Sequence, residues 1–583
     1  MLKQLEHNGV VIPNPPPYRG LVIYVRGEPV QLTPAQEEMA LAWAKKQGTD
    51  YVQDPVFVSN FMEDLSERLG LEEALSVDEV DFRSAIRVVE EEKAAKARLS
   101  QEERKAQAEI RRAIREELKE KYGYATVNGQ RVELANYMTE PSGIFMGRGE
   151  HPLRGRWKQG AQQKDVTLNL SPGAPRPEGN WGEIVWEPEA LWVARWEDKL
   201  SGKLKYVWLS DSAPIKQERE AAKFDQAMAL EENIAQVRAQ IERDLADPDP
   251  KRRAVATASY LIDALCLRVG DEKDPDEADT VGATTLRPEH VTLHVDGTAE
   301  FRFLGKDSVL WHKHIPLPPA VRQNLEELLE AARPSNSAGD GRSHPTRDRP
   351  QLFPGIGSSD VNAYLSEILD GLTAKVFRTH HATQVVRERL IASEVEASDP
   401  EYKKWGAISM ANMEAAVLCN HYKTGPANWQ ERRQRARERL QTLKEKADLR
   451  HAEVREAKEA LKALRQEARE KREEAKTDKQ RERVRIRYAK KVERAKKKIE
   501  TAEGRLERAR IALDKAQTKD SVTVKKRTWN LGTSLKSYID PRVVYEWGQA
   551  VDYDVLERYY PKALQRKFAW VRGEEDETET EEE

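Results

Sequence analysis

Gly532-Thr-Ser-Leu-Lys-Ser-Tyr538-Ile-Asp-Pro-Arg542 is a short polar stretch near the end of a 583-residue chain, and it follows a very long charged helical pattern. It reads as a surface-like turn that presents Tyr538 just before an Asp-Pro break. A tyrosine hydroxyl is a weak nucleophile near neutral pH, because its ordinary pKa is about 10. It attacks only where cationic neighbours stabilise the charge that develops. Most tyrosines are half-buried packing residues instead. Tyr538 is therefore a candidate nucleophile only if the rest of the chain supplies the cations.

The helical pattern upstream accounts for the odd composition. Leu440, Leu443, Ala447, Val454, Ala457, Leu461, Leu464 and Ala468 follow alternating three- and four-residue steps, with Arg450 breaking the seam. Tyr488, Val492, Ala495, Ile499, Ala502, Leu506, Ala509 and Leu513 do the same after the break Ala475-Lys-Thr-Asp-Lys-Gln480. The spacing predicts an antiparallel coiled coil of two arms, each on the order of 40 residues and roughly 60 Å long. Residues 431–520 carry a net charge of about +13, leaving about −16 for the rest of a chain whose total is −3. The positive charge reads equally as a solvated face or as salt-sensitive attraction to phosphates.

With 34% charged and 39% hydrophobic residues, the chain has enough apolar side chains for several cores beside this extended part. There is no apolar run long enough to cross a membrane as a helix, and the start, Met-Leu-Lys-Gln-Leu-Glu-His7, has no signal-peptide pattern. Cys266 and Cys419 both sit in apolar helical contexts. They suit a reducing compartment and form neither a disulfide framework nor a zinc site.

Taken from the start, residues 1–32 read as short strands around the prolines Pro13 to Pro17, and Thr33-Pro34 opens a helix. A second helix runs from about Val56 to Leu71, and a charged helix or helix pair from about Asp78 to Tyr122. Asn128-Gly129 marks a hairpin. Strands rich in tryptophan alternate around Ser201-Gly202. Helices follow over about 214–245 and 252–269, then an antiparallel unit over 290–317 with Asp296-Gly297 as one turn. Residues 333–350 read as a loop, and helices resume from about Val361 to Cys419. A compact helical segment from about Thr528 to Trp570 precedes a tail with eight acidic residues in its last ten, a composition that argues against a fold. The expected fold class is a multidomain α+β protein. Its parts are a mixed α/β N-terminal half over 1–210, a mostly helical core with a small β-sheet over 211–427, a coiled-coil linker over 428–523, and a small helical C-terminal domain over 524–583.

Cationic candidates occur where helices or hairpins begin or end. Arg268 follows Leu265-Cys-Leu, Lys306 lies in Phe303-Leu-Gly-Lys-Asp307, Arg378 in Ala374-Lys-Val-Phe-Arg-Thr379, and His421 in Val417-Leu-Cys-Asn-His-Tyr422. Singly, each has an ordinary explanation: a helix C-terminal cation, a turn lysine, a paired arginine, a hydrogen-bonded core histidine. Spacing alone does not join them.

A resemblance does. Glu140-Pro-Ser-Gly143, Arg148-Gly-Glu-His-Pro152, Arg268-Val-Gly-Asp-Glu-Lys273, Ala278-Asp-Thr-Val-Gly282, Leu286-Arg-Pro-Glu-His290, Phe303-Leu-Gly-Lys-Asp-Ser308, Gly371-Leu-Thr-Ala-Lys-Val-Phe-Arg-Thr379, Leu418-Cys-Asn-His421, Leu531-Gly-Thr-Ser534, Tyr538-Ile-Asp-Pro-Arg542 and Lys567-Phe-Ala-Trp570 look like the segments of type IB DNA topoisomerases of the eukaryotic form. The order of the blocks fits, as does the coiled coil before the tyrosine. The resemblance implies a core like that of the tyrosine recombinases and type IB topoisomerases, with the N-terminal half acting as part of a clamp on double-stranded DNA. It implies that Tyr538 attacks a phosphodiester to form a 3′-phosphotyrosyl link, with strand rotation before religation relaxing supercoils of either sign. Arg268, Arg378 and His421 would hold the non-bridging oxygens, and Lys306 would protonate the leaving 5′ oxygen. Arg148, Asp307, Asn420 and Thr533 match positions beside the cleaved step, and Arg154, Arg156 and Lys158 resemble a phosphate-facing stretch. No cofactor is implied, neither ATP nor metal, because the tyrosyl link keeps the phosphodiester energy. A monomer is implied.

Two departures stand out. Ser537 occupies the place before the tyrosine where eukaryotic members usually have Asn, and Leu535-Lys536 is reversed from the usual order. These changes put binding of camptothecin-type poisons in doubt. The chain also lacks the long basic N-terminal extension of nuclear members, which favours an archaeal source and a place at the nucleoid in the cytoplasm, or the nucleus for a eukaryotic source. A site-specific tyrosine recombinase shares the cation set and is the runner-up. A non-catalytic DNA-binding scaffold is the third reading, and the presence of all five catalytic candidates argues against it.

Overall fold

The computed structural model describes residues 1–271, 279–332 and 350–573. Three stretches read from the sequence therefore lie wholly or in part outside the described residues: the loop at 333–350, the segment after Asp271 that includes Glu272, Lys273 and Ala278, and the acidic tail. The chain forms two compact units, one built from residues 1–377 and 565–583, the other from 378–564.

The first unit begins with a small helical layer. Pro34–Ala44 and Pro55–Leu69 start at Thr33 and Asp54, each followed by a proline whose fixed φ suits a first helical turn. They bury Trp43, Phe57 and Phe61, and Trp43 stacks on Phe61 at 4.6 Å. The charged stretch that follows is a helix pair, Arg83–Arg98 and Gln101–Tyr122. Ser100 and Glu103 divide it with a capping box, which satisfies backbone N–H groups at the new start. Asn128 and Gly129 take positive φ between strands Tyr124–Val127 and Gln130–Glu133, the geometry of a two-residue hairpin turn. The tryptophan-rich region forms a four-stranded sheet in the order Glu183–Val185, Val166–Asn169, Trp192–Glu197, Leu204–Trp208, with the first pair parallel. The strand Val166–Asn169 is absent from the sequence reading.

His7, on strand Leu5–His7, is enclosed in this sheet region. Its Nε2 bonds the carbonyl of Asn169 at 3.0 Å, and Gly9 N–H donates to Nδ1 at 3.1 Å, so the ring is held neutral. Burial pushes the imidazole down to about 4. The unfolded chain takes up this proton near pH 6.5 and the folded chain only near 4. The stabilisation is complete above pH 6.5 and is lost as pH falls through that window, by about 3 kcal/mol at its lower end. Chemical denaturation of the wild type at pH 7, 5.5 and 4 is expected to show this loss, and His7→Gln is expected to flatten the profile. An unchanged profile in the variant would rule out His7 as the source.

The rest of the first unit packs helices Pro214–Asp244, Pro250–Leu265, Pro319–Ala331 and Ser358–Ile368 around one apolar core with a three-stranded antiparallel sheet. That sheet is Val291–Leu293, Thr298–Gly305 and Val309–Pro316. Ala299, Phe301, Phe303 and Trp311 point inward, as strand alternation requires. The helix Pro319–Ala331 was not anticipated from the sequence. The chain's last segment returns to this unit: Phe568 is fully buried 6.3 Å from Phe224, and Lys567 reaches Glu220 at 3.1 Å.

The second unit is helical, and its outstanding feature is the pair Trp429–Glu473 and Asp478–Lys525, 45 and 48 residues long. Tyr488 donates to Glu467 at 2.7 Å, Lys458 meets Glu503 at 2.7 Å and Arg433 pairs with Asp520, an antiparallel register. Each helix is about 70 Å long at the usual rise. Ala447, Val454 and Leu461 are buried at seven-residue steps, opposite Tyr488, Leu506 and Ala509, all members of the predicted seam. Tyr402, on helix Glu401–Leu418, donates to Asp514 at 2.6 Å and anchors the root of the pair.

Candidate active site

In the second unit Tyr538 lies at the end of a short helix, Leu531–Ser537. The Ser534 carbonyl accepts from the N–H groups of Tyr538 and Ile539, at 2.9 and 3.1 Å. Asp540 then caps the next helix, Pro541–Ala550, accepting from Arg542 N–H at 2.9 Å. The surface-like turn expected from the polar sequence is instead enclosed, and Tyr538 is 4% exposed. The reason is Leu535 and Ile539, which are buried on either side of it. The Thr383 hydroxyl fastens the turn from a neighbouring helix, donating to the Tyr538 carbonyl at 3.3 Å and accepting from Asp540 N–H at 3.0 Å.

Two of the predicted cations meet this tyrosine. The guanidinium carbon of Arg378 is 4.9 Å from the centre of the Tyr538 ring, and the His421 ring is 5.3 Å from it at 33°. Arg378 is 2% exposed and donates from Nη2 to the Cys419 carbonyl at 3.1 Å. The guanidinium thus lies within cation–π range of the ring, out of contact with bulk water.

His421 is positioned by the way helix Glu401–Leu418 ends. Asn420 takes φ 54°, and the N–H groups of Asn420 and His421 return to Val417 and Ala416 at 3.1 and 2.8 Å. This is a Schellman ending with Asn where Gly is commonest. Residues on either side of the long helix pair then join. His421 O accepts from Asn530 N–H at 2.7 Å, and Lys423 N–H donates to Thr528 O at 2.8 Å. The helix pair is thus an excursion whose ends meet, and it sets Ser534 beside His421, 113 residues away in the chain, with Ser534 Oγ 2.7 Å from His421 Nδ1.

Ser534 and Thr383 were missed as site residues. Ser534 closes the block Leu531-Gly-Thr-Ser534, whereas nothing local marks Thr383. Ser534→Ala is expected to slow strand cleavage about tenfold, the worth of one buried hydrogen bond that orients a ring, with little change in melting temperature. Single-turnover cleavage of a nicked duplex measures it, and a rate within twofold of wild type would deny the orienting role.

Arg268 and Lys306 belong to the first unit. Helix Pro250–Leu265 ends at Cys266, φ 52°, and the exposed Arg268 follows. Its carbonyl accepts from Ala283 N–H at 2.9 Å, while Val281 N–H donates to Leu304 O at 2.8 Å. One segment therefore links the irregular stretch that carries Arg268 to the hairpin that carries Lys306. Gly270 and Gly282 allow it, since a Cβ on Gly282 would lie 2.5 Å from Gly270 Cα. Lys306 is exposed at the hairpin turn, followed by Asp307 and Ser308 at φ 66° and 57°. Successive left-handed non-glycine residues cost energy, and such strain tends to gather at functional turns.

The predicted DNA contacts divide. Arg148 pairs with Asp307, and Gly149 rests against Ser308, so the loop around Arg148 buttresses the Lys306 turn. Arg154 pairs with Asp54 at 2.7 Å, Arg156 with Asp64 and Glu63 at 2.6 and 2.8 Å, and Lys158 with Asp198 at 2.6 Å and with Glu140. These three bases thus have carboxylate partners within the fold. Arg148, Lys158, Asp307 and Ser308 border a cleft of about 740 Å³. Asn420 serves the helix ending described above, and Thr533 is half-buried in the short helix before Tyr538.

The chain as a whole is similar to known proteins. Residues 2–209 match the DNA binding fragment of eukaryotic DNA topoisomerase I, residues 212–454 its catalytic core, and residues 508–579 a C-terminal topoisomerase domain. The chain is 32% identical over 580 residues to DNA topoisomerase 1 beta of Arabidopsis thaliana, an alignment that takes in 98% of this chain and 58% of that protein. Against the mitochondrial DNA topoisomerase I of Pan troglodytes it is 32% identical over 586 residues, 98% of this chain and 90% of that one. Against DNA topoisomerase 1 of Rattus norvegicus it is 30% identical over 592 residues, 99% and 71%. Among the described residues no helix is long and apolar enough to cross a membrane. With its matches spanning almost the whole length, the chain belongs to the eukaryotic-type DNA topoisomerase I family, the type IB enzymes.

Proposed function

We propose that the chain relaxes positive and negative supercoils in double-stranded DNA by cutting one strand through Tyr538. The observation that carries this reading is the Tyr538 ring set against the Arg378 guanidinium and the His421 imidazole in a buried pocket. Tyr538 Oη bonds to phosphorus and gives up its proton to solvent. The bond from phosphorus to the 5′ oxygen breaks, and that oxygen takes a proton from Lys306. Arg268, Arg378 and His421 hold the two non-bridging oxygens, whose charge grows in the transition state. With Nδ1 engaged by Ser534, the histidine contact falls to Nε2. The free strand rotates about its intact partner, and attack by the 5′ hydroxyl reverses the steps. The bond energy stays in the tyrosyl phosphate, so the cycle needs neither nucleotide nor metal.

Arg148, Asp307, Asn420 and Thr533 contact DNA beside the cleaved step in this reading. Arg154, Arg156 and Lys158 reach phosphates by exchanging their present carboxylate partners. The protein acts as a monomer wherever the cell keeps its DNA, at the nucleoid of an archaeal cell or in the nucleus of a eukaryotic one. Ser537 weakens camptothecin-type inhibition. The test is relaxation of negatively and positively supercoiled plasmid in excess EDTA without ATP, with protein trapped on the 3′ side of the nick. A requirement for ATP or a divalent ion, or a 5′ adduct, would overturn the mechanism.

A further inference from the structure

The outward face of the sheet Val291–Leu293, Thr298–Gly305, Val309–Pro316 gathers donors that the reaction above does not use. Alternation that buries Phe301, Phe303 and Trp311 turns Glu300, His312 and His314 to solvent, and His294 follows the first strand on the same side. The register sets Glu300 opposite His314 and Arg302 opposite His312. One Glu300 oxygen is 2.7 Å from His312 Nε2, and the other is 3.9 Å from His294 Nε2. The His294 and His314 rings meet edge to face at 5.1 Å.

The fourth member has its tautomer set. Thr298 Oγ1 donates to Asp296 at 2.6 Å, so at its 2.7 Å contact with His314 Nε2 the hydroxyl oxygen accepts. That leaves the lone pair of a neutral His314 ring on Nδ1. Orientation of an imidazole by a hydroxyl and carboxylate behind it is a common outer-shell arrangement for a metal ligand.

We propose that this face binds one divalent transition-metal ion of the zinc class through His294, Glu300 and His312, with His314 Nδ1 as a further donor. Imidazole with one carboxylate suits Zn²⁺, Ni²⁺ and Cu²⁺, whereas Mg²⁺ and Ca²⁺ prefer oxygen alone. As the side chains stand, no three such donors among the described residues converge closely enough to hold an ion. His294, Glu300 and His312 have 39%, 33% and 54% of their side chains exposed, so rotation about side-chain bonds can bring them together. Arg302 shares the face and opposes the ion's charge, which keeps affinity moderate. The ion would clasp the three strands at the base of the hairpin, roughly 20 Å along the strand from Lys306. Its role is structural and separate from the cleavage chemistry.

Titration of the full-length protein with zinc chloride, followed by calorimetry and thermal melting, tests this. Wild type is expected to show one saturable site below millimolar zinc, undisturbed by magnesium, and a raised melting temperature. Glu300→Gln combined with His312→Ala is expected to weaken it by about tenfold or more, while His451→Ala leaves it intact. Copper-loaded wild type is expected to show nitrogen coupling from two or more imidazoles in electron paramagnetic resonance, a readout that needs no variant. No saturable site, no coupling from two nitrogens, or unchanged affinity in the double variant would each overturn the proposal.

Discussion

Tyr538→Phe is expected to abolish relaxation, lowering the cleavage rate by roughly four orders of magnitude or more, while the fold and DNA binding persist. Loss of the attacking atom is not compensated by the groups around it, and knockouts of nucleophiles elsewhere have effects of this size. The substitution removes one oxygen. The ring that packs against Arg378 and His421 remains, as do the bonds that hold the turn, from Tyr538 N–H to the Ser534 carbonyl and from the Thr383 hydroxyl to the Tyr538 carbonyl. The melting temperature should therefore move little. Plasmid relaxation, the covalent adduct on denaturing gels and a gel shift separate the outcomes. Relaxation by the variant at a tenth of the wild-type rate would remove Tyr538 from the nucleophile's role.

Arg378→Ala is expected to slow cleavage by about a thousandfold, or ~4 kcal/mol of transition-state stabilisation. Arg378 is one of the largest fully buried side chains, so truncation also leaves a cavity and removes the bond to the Cys419 carbonyl. A fall in melting temperature is expected alongside. Arg378→Lys separates the two contributions. It retains charge and much of the volume but loses the planar fork that can hold Cys419 O and a phosphate oxygen together. It is expected to recover most of the stability and only a small part of the rate. Single-turnover cleavage of a suicide substrate measures the rate, and calorimetry the stability. Cleavage by the alanine variant within threefold of wild type would mean that this cation serves packing alone.

Local signals were readable because they depend on neighbours in the chain. Thr33-Pro34 opened its helix, where a cap and a proline are both favourable, whereas Asp540-Pro541, which reads as a break, proves to cap the next helix. Asn128-Gly129 made its hairpin, and a seven-residue apolar repeat placed Ala447, Val454 and Leu461 inside the long pair. The four-residue strand Val166–Asn169 is too short for its alternation to stand out, whereas the helix Pro319–Ala331 carries a clear helical spacing at Val321, Leu325, Leu328 and Leu329 that the sequence reading left unassigned. The polarity of Gly532–Ser537 misled for a related reason. Composition describes average exposure, whereas two apolar residues, Leu535 and Ile539, suffice to draw the turn inward.

Taken alone, the residues carried the chemical inventory: a tyrosine before an Asp-Pro stop, cations at the ends of elements, and a charged helical excursion between His421 and Tyr538. Such information is local, written in residue type and spacing. The pairings were beyond it. That Ser534 holds His421, that Thr383 fastens the Tyr538 turn, that Arg148 meets Asp307, and that Phe568 returns to Phe224 all follow from contacts distant in sequence. Each requires the chain to close a long loop, and what repays that entropy is burial gathered from many elements together. No single stretch encodes it, and so the exposure of Tyr538 and its partners emerged from the packed fold.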